Sequence, residues 1–502
     1  MNKRGIEFQR IFGIIIMCIV IICVSFRDNL SNLVDVQFFY NRVCQLRTCI
    51  LDGVYPYFYY NDFMGVGYGS SFFYGQITLL PFEFFVNLSK DGFSSLLVIT
   101  IFVLNFFGVA YFSKRYTNNY YMIATFYIIS QCMLSSVLIG NLLAVGVSWF
   151  FLAKCVDFFR DNKSFIPASL LFFVLINSHL ITSLLSFFCC CIICIYYFDK
   201  TKIKQYIKFA IFTSISCTYF LANMIYHLSC INIKADVIGE YSKSYIMYLP
   251  NFLNYIIKAD SKSFENGIIS ALFIIPIIIL LFRHKIKFSK RLVVLSCFCF
   301  VVCLFSLSKF WYDLYFITKY IQFPIRLYYF IIVFLLIVIF RYSDCKWIWF
   351  SILCLIDMLI VTMDFSNSLS YESYHQYIAN GEYVSVNFSW NEEVFDYMKS
   401  HVTNQNGYEI DYNVDKNKVV VNIPNHTEDW TITVPKLYYK GYYCDKGFDC
   451  YEGDNQFVSI DIGSFSGVLS IYYKQPFMLI LVQCISDLTV VLLIIKYLRR
   501  VV

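Results

Sequence analysis

Long, nearly uncharged apolar runs constrain this chain more than any other feature. They cover about residues 11–26, 93–113, 120–138, 140–158, 165–178, 180–198, 208–228, 267–282, 291–308, 321–340, 346–363 and 476–496. A helix needs about 20 such residues to cross a hydrocarbon core. Inside that core every backbone N–H and C=O must be satisfied by the chain itself, which leaves helices or a closed barrel. Runs this long and without alternation select helices. The expected fold class is therefore an all-α polytopic membrane protein of about a dozen spans, with a β-rich domain near the C-terminus. Segment 72–88 is also apolar, but Pro81 and Glu83 interrupt it. It reads as a re-entrant or interfacial helix and not as a span.

Composition agrees: 59% of the 502 residues are hydrophobic and 15% charged, with a mean hydropathy of +0.60. A soluble domain carries about a quarter charged residues. The formal charge of +6 does not indicate nucleic acid as a partner, because the Lys and Arg residues cluster between the apolar runs. Most of the 20 Cys residues, such as Cys189, Cys190, Cys191 and Cys194, lie inside those runs, where Cys acts as a small hydrophobe. No Cys or His spacing matches a zinc site. Cys444 and Cys450 lie in a polar segment, and a disulfide between them is one reading.

Lys3, Arg4 and Arg10 precede the first run, and no small-residue cleavage site follows it, so it reads as a retained helix. With the N-terminus cytoplasmic and the spans alternating, the basic clusters Lys114/Arg115, Arg160/Lys163, Lys200–Lys204, Arg283–Arg291, Arg341/Lys346 and Lys496–Arg500 all fall on one side. This is the positive-inside pattern. It places loop 27–92 and stretch 364–475 outside a plasma membrane, with both termini cytoplasmic. The expected domains are a core over 1–363, an extracellular β-rich domain over 364–475, and a final span with a basic tail over 476–502. Within the β-rich domain, Val419–Ile423, Thr431–Tyr439, Phe457–Ile462 and Val468–Tyr473 alternate like half-buried strands of a small sandwich.

The outer segments hold the candidate chemistry. The first loop carries Asp35, Gln37, Arg42, Asp62 in a Gly-rich turn, and Tyr68. A carboxylate near a membrane helix can act as a general base; the plainer reading is a solvated or capping Asp. His179 sits at a tight helical turn, either as a polar turn residue or as a reactive imidazole. Gln322, Pro324 and Arg326 open a span. Pro suits a first turn, and Arg there makes either an anion site or a snorkelling headgroup contact. The aromatics Tyr57–Tyr60 fit an interfacial belt as well as a sugar-stacking surface.

These features together resemble the YfhO-type membrane proteins. The residues that carry the resemblance are the first-loop Asp, the Leu51-Asp52-Gly53-Val54-Tyr55-Pro56 run, the Gly-Tyr turn, the helix-turn His, Gln322-Phe323-Pro324-Ile325-Arg326, Val434–Tyr442, and the close from Gly463 to Tyr473. The same pattern is similar to the membrane proteins related by name to pyruvoyl-tetrahydropterin synthase, and to glycosyltransferases of the GT-C fold. Ile325 and Gly69 depart from it. The resemblance implies transfer of a sugar from a polyprenyl-phosphate donor to a glycan or lipid acceptor at the outer membrane face. It makes Asp35 the catalytic carboxylate. No cofactor is implied, and two carboxylates alone do not specify a divalent metal. A lipid-linked saccharide flippase, a polysaccharide polymerase and a scaffold with 364–475 as its binding module are the competing readings. A flippase calls for ionisable residues deep in the spans, of which Asp357 and Asp487 are the candidates.

Overall fold

The structure, a computed structural model, describes residues 3–25, 34–54, 58–60, 62, 65–129, 139–229 and 397–501, with scattered positions between 329 and 388. The chain divides into two compact units. One comprises Met1–Gln37, Leu88–Ala210 and Ile238–Glu372; the other comprises Phe38–Asn87, Ile211–Val237 and Ser373–Val502. This division cuts across the expected boundaries at 363 and 475, because the first loop and the last helix group with the sheet region.

The described helices are α1 (Lys3–Ser25), α2 (Val34–Asp52), α3 (Ser70–Phe73), α4 (Leu80–Glu83), α5 (Lys90–Ser113), α6 (Tyr120–Ile129), α7 (Ile139–Phe159), α8 (Ile166–Ile176), α9 (Leu180–Tyr196), α10 (Ile203–Leu228) and α11 (Phe477–Val501). Among the described residues five helical segments are long and apolar enough to cross a membrane: Lys3–Ser25, Lys90–Ser113, Leu142–Phe159, Lys200–Leu228 and Phe477–Arg500. Three shorter apolar helices, α6, α8 and α9, accompany them. The chain is thus a membrane protein by length and composition of its helices, with five such segments described and not a dozen. The runs at 267–282, 291–308, 321–340 and 346–363 lie outside the described residues, apart from a few positions in the third. Segment 72–88 breaks into short turns around α3 and α4.

Within the first unit, small residues let helices approach closely. A Cβ at Gly108 would lie 2.9 Å from Gly146 O, and one at Gly146 would lie 2.8 Å from Leu104 Cβ. Beside this crossing of α5 and α7, buried Asn105 Nδ2 donates to Ile101 O at 2.9 Å and Leu142 O at 3.0 Å. Such approaches are how apolar helices associate when burial from water supplies no drive. At one end of the same helix pair, Arg115 forks onto Asp157, with Nε–Oδ1 at 2.9 Å and Nη2–Oδ2 at 2.7 Å. Lys154 and Lys163 lie 3.7 and 3.5 Å from the same carboxylate.

In the second unit nine strands form two antiparallel sheets. They are β1 (Val402–Asn404), β2 (Glu409–Ile410), β3 (Tyr412–Asp415), β4 (Lys418–Ile423), β5 (Trp430–Leu437), β6 (Tyr442–Cys444), β7 (Cys450–Glu452), β8 (Phe457–Gly463) and β9 (Gly467–Tyr473). The orders are β2-β1-β5-β8-β7 and β3-β4-β9-β6. Alternate residues of both sheets, including Val419, Val421, Ile432, Val434, Val458, Ile460, Leu469 and Ile471, share one core, the side-chain period that strand geometry dictates. Cys444 and Cys450 stand as free thiols in this structure, on strands of the two facing sheets, near enough for the charge of one to act on the other. Burial pushes the Cys450 thiol up to about 12.

Helix α11 packs on α10 along one narrow seam. Leu479, Ser486 and Leu493, each seven residues apart, are its buried positions, and Ser486 Oγ donates to Ser216 O at 2.6 Å. Most of its other apolar residues, such as Leu481, Leu488 and Leu492, are exposed, as a lipid-facing helix requires.

Candidate functional site

The site is built on α2 and the loop that follows it. Val36, Phe39, Val43, Leu46 and Cys49 are buried on one face of α2, the spacing that an amphipathic helix produces. The helix stops at Gly53, whose φ is +64°. Gly53 N donates to Ile50 O at 3.2 Å and Val54 N to Cys49 O at 3.0 Å. This pair of bonds is the Schellman cap, and it requires a left-handed residue that glycine adopts without steric cost. The cap turns the chain back, so that Phe58, Tyr60 and Asp62 bond to their own helix, at Cys49, Asp52 and Asn41.

Arg42 belongs to the buried face and is 4% exposed. Its Nη2 donates to Gly75 O at 3.1 Å. The guanidinium carbon lies 5.4 Å from the centre of the Phe38 ring and 4.8 Å from that of Tyr74. Among the described residues no carboxylate forms an ion pair with it. Asp62 is equally buried. It accepts from Asn41 Nδ2 at 2.6 Å, and its backbone closes the turn through Asp62 N to Tyr59 O at 3.1 Å and Gly67 N to Asp62 O at 2.9 Å. Tyr59 is fully buried and feels both charges. Burial raises its hydroxyl above the usual tyrosine range, Arg42 pulls it down, and Asp62 pushes it up. Tyr68 pairs with Tyr59 in an antiparallel bridge, and Tyr60 Oη donates to Asp52 Oδ2.

Strand β5 holds this loop from the other side. Pro435 has no N–H to give the ladder, and the register between β5 and β8 shifts between Val434 and Leu437. Leu437 N then donates to Val66 O at 2.9 Å. The buried Lys436 sends its ammonium to Tyr60 O at 3.1 Å and to Gly65 O, one carbonyl on each side of Asp62. Burial lowers the Lys436 ammonium to about 8. The loop also presses on an aromatic cluster: Phe58 stacks on Phe72 at 5.4 Å, and Phe72 stacks on His227 at 3.7 Å.

Arg42, Asp62 and Tyr68 are therefore brought together in one unit, with Tyr59 from the aromatic run, Lys436 from the Val434–Tyr442 motif, and Asn41, which the sequence did not single out, as neighbours. Asp35 and Gln37 sit in the first turn of α2, on a helix and not in a loop, and they belong to the other unit. His179, also in that unit, caps α9: its Nδ1 accepts from Thr182 N at 3.2 Å. This is the turn-residue reading. Gln322 and Arg326 lie outside the described residues. Among the described residues no group of three His, Cys, Asp or Glu side chains gathers as metal ligands. No protein-family model, no curated protein and no solved structure matches the chain.

Proposed function

We propose that this chain is a membrane glycosyltransferase with a GT-C-like core of about a dozen spans. It moves a sugar from a polyprenyl-phosphate donor to a glycan or lipid acceptor at the outer face of the plasma membrane. The observation that supports this most is Arg42: a buried guanidinium without a carboxylate partner among the described residues, one residue from the Asn41 that binds Asp62. A buried cation of this kind is costly unless an anion meets it, and the guanidinium fork suits phosphate oxygens. The resemblance noted in the sequence supplies the reaction class.

In this reading the acceptor hydroxyl attacks the anomeric carbon and the bond from that carbon to the phosphate oxygen breaks. The hydroxyl proton passes to Asp35. Arg42 and Arg326 balance the charge left on the lipid phosphate. Gln37, Asp62 and Tyr68 hold sugar hydroxyls, and His179 keeps its helix end in place. The sheet region is extracellular in the same reading.

The test supplies radiolabelled polyprenyl-phosphate sugars to membranes containing the native protein, Asp35→Asn or Arg42→Gln, at matched expression. Label should move to lipid or polymer with the native protein. It should fall about 10²–10⁴-fold with Asp35→Asn, the range for loss of a general base. Equal transfer by native protein and Asp35→Asn removes Asp35 from the chemistry. If no donor gives transfer, the enzyme reading fails and a lipid-scrambling assay tests the flippase reading.

A further inference from the structure

The strongest unassigned surface lies where the sheets meet the helices, at the β6–β9 end of the second unit. Only Gln475 and Pro476 separate Lys474 from α11, an apolar helix of spanning length. A residue advances the chain by at most about 3.5 Å, so Lys474 starts within roughly 11 Å of the first apolar turn. Lys474 N donates to Gly441 O at 2.7 Å, which brings the turn at Lys440 to the same level. Helix α10, also of spanning length, arrives there too: Tyr473 Oη lies 3.3 Å from His227 Nε2, and Gln475 Nε2 donates to Tyr219 Oη at 3.0 Å.

Three lysines and three tyrosines alternate on this surface. Lys440 Nζ lies 5.2 Å from the centre of the Tyr226 ring, Lys474 Nζ 5.7 Å from that of Tyr443, and Lys418 Nζ 5.4 Å from that of Tyr472. Tyr443 and Tyr472 are cross-strand partners, and Tyr443 is 43% exposed. Asp415 faces Lys418 across β3 and β4. Among the described residues neither Lys440 nor Lys474 forms an ion pair. Tyrosine rings with lysines reaching past them are the side-chain chemistry of the headgroup layer.

We propose that the surface formed by Lys440, Tyr443, Tyr472 and Lys474 docks on anionic phospholipid headgroups of the membrane that holds α10 and α11. The unpaired ammonium groups meet lipid phosphate, and the tyrosine hydroxyls bond to the glycerol and phosphate oxygens beside it. The proposal rests on the membrane character of the chain and not on sugar transfer. Position favours lipid over a soluble anionic polysaccharide, because two spans end at this surface.

The full chain is placed in nanodiscs of phosphatidylcholine with or without phosphatidylglycerol, the latter carrying a photoactivatable headgroup. Crosslinks are then mapped by mass spectrometry. They should fall on 440–443 and 472–476. Near a charged surface each lysine contributes about fivefold in partition, so Lys440→Gln with Lys474→Gln should reduce them by roughly 25-fold. Lys446→Gln removes the same charge in the turn beyond β6 and should leave the yield unchanged, which separates headgroup contact from general charge or misfolding. Crosslinks confined to the helices, or unchanged in the double variant, overturn the proposal. So does protection of Lys474 from acetylation by dextran sulfate but not by phosphatidylglycerol vesicles, an outcome that assigns the surface to polysaccharide.

Discussion

Lys436 shows how one residue couples distant parts of the chain. Its ammonium titrates near 8 where burial has lowered it from the usual 10.5. The unfolded chain therefore binds more protons than the folded one between those values. Stability contributed here rises as pH climbs through that window, by about 3 kcal/mol across all of it. Thermal unfolding followed by tryptophan fluorescence should show the rise from pH 8 to 9.5 in the native protein, and its absence in Lys436→Met. At Gly69 a Cβ would lie 2.3 Å from the Tyr439 ring, so Gly69→Ala should lower stability by about 1–3 kcal/mol, read as a drop in Tm. Sequence alone pointed to Arg42 and Asp62 as charged residues of the first loop, Asp62 in a Gly-rich turn; their burial came only with the structure. The sequence did not point to the grip of Lys436, because its partners at Tyr60 and Gly65 lie 376 and 371 positions away and no local pattern encodes such a pairing.

At the scale of elements, the apolar runs read directly as helices: 140–158 is Ile139–Phe159, and 180–198 is Leu180–Tyr196. The longer strands were equally legible, because a sandwich core imposes period-two alternation. Short strands such as β2 and β7 were not, since two or three residues hold too little alternation. Helix α2 was missed because hydropathy alone was weighed. Its buried positions at 36, 39, 43, 46 and 49 carried the helical period, and Gly53 carried the stop. Two outcomes test the packing of the first unit. Gly146→Leu should separate α5 from α7, seen as faster exchange of the Leu104 and Asn105 amides. Asp157→Asn leaves the nearly buried Arg115 without its counter-charge and should cost about 3–5 kcal/mol, measured as lost resistance to denaturant.

As a whole molecule, the chain joins a sheet region to an apolar helix of spanning length through a very short connection, Lys474 to Pro476. Alkaline carbonate should leave the protein in the membrane pellet, with the Val402–Tyr473 strands cleaved by protease only from the side they face. The candidate site was half legible at this scale. Proximity of Arg42 to Asp62 follows from the α2 turn, whereas the grouping of 38–87 with the sheet region depends on pairings that hydropathy does not contain.

The hold of β5 on the first loop has a consequence in time. The ribosome makes Gly65 long before Lys436, with 371 positions between them. At about 5–20 residues per second, roughly 20–75 s pass before the loop meets the strand that fastens it. Until then Asp62 waits on an unfastened turn while the intervening helices enter the bilayer. A chain terminated before Lys436 would carry every residue of α2 and its loop and still lack the formed site.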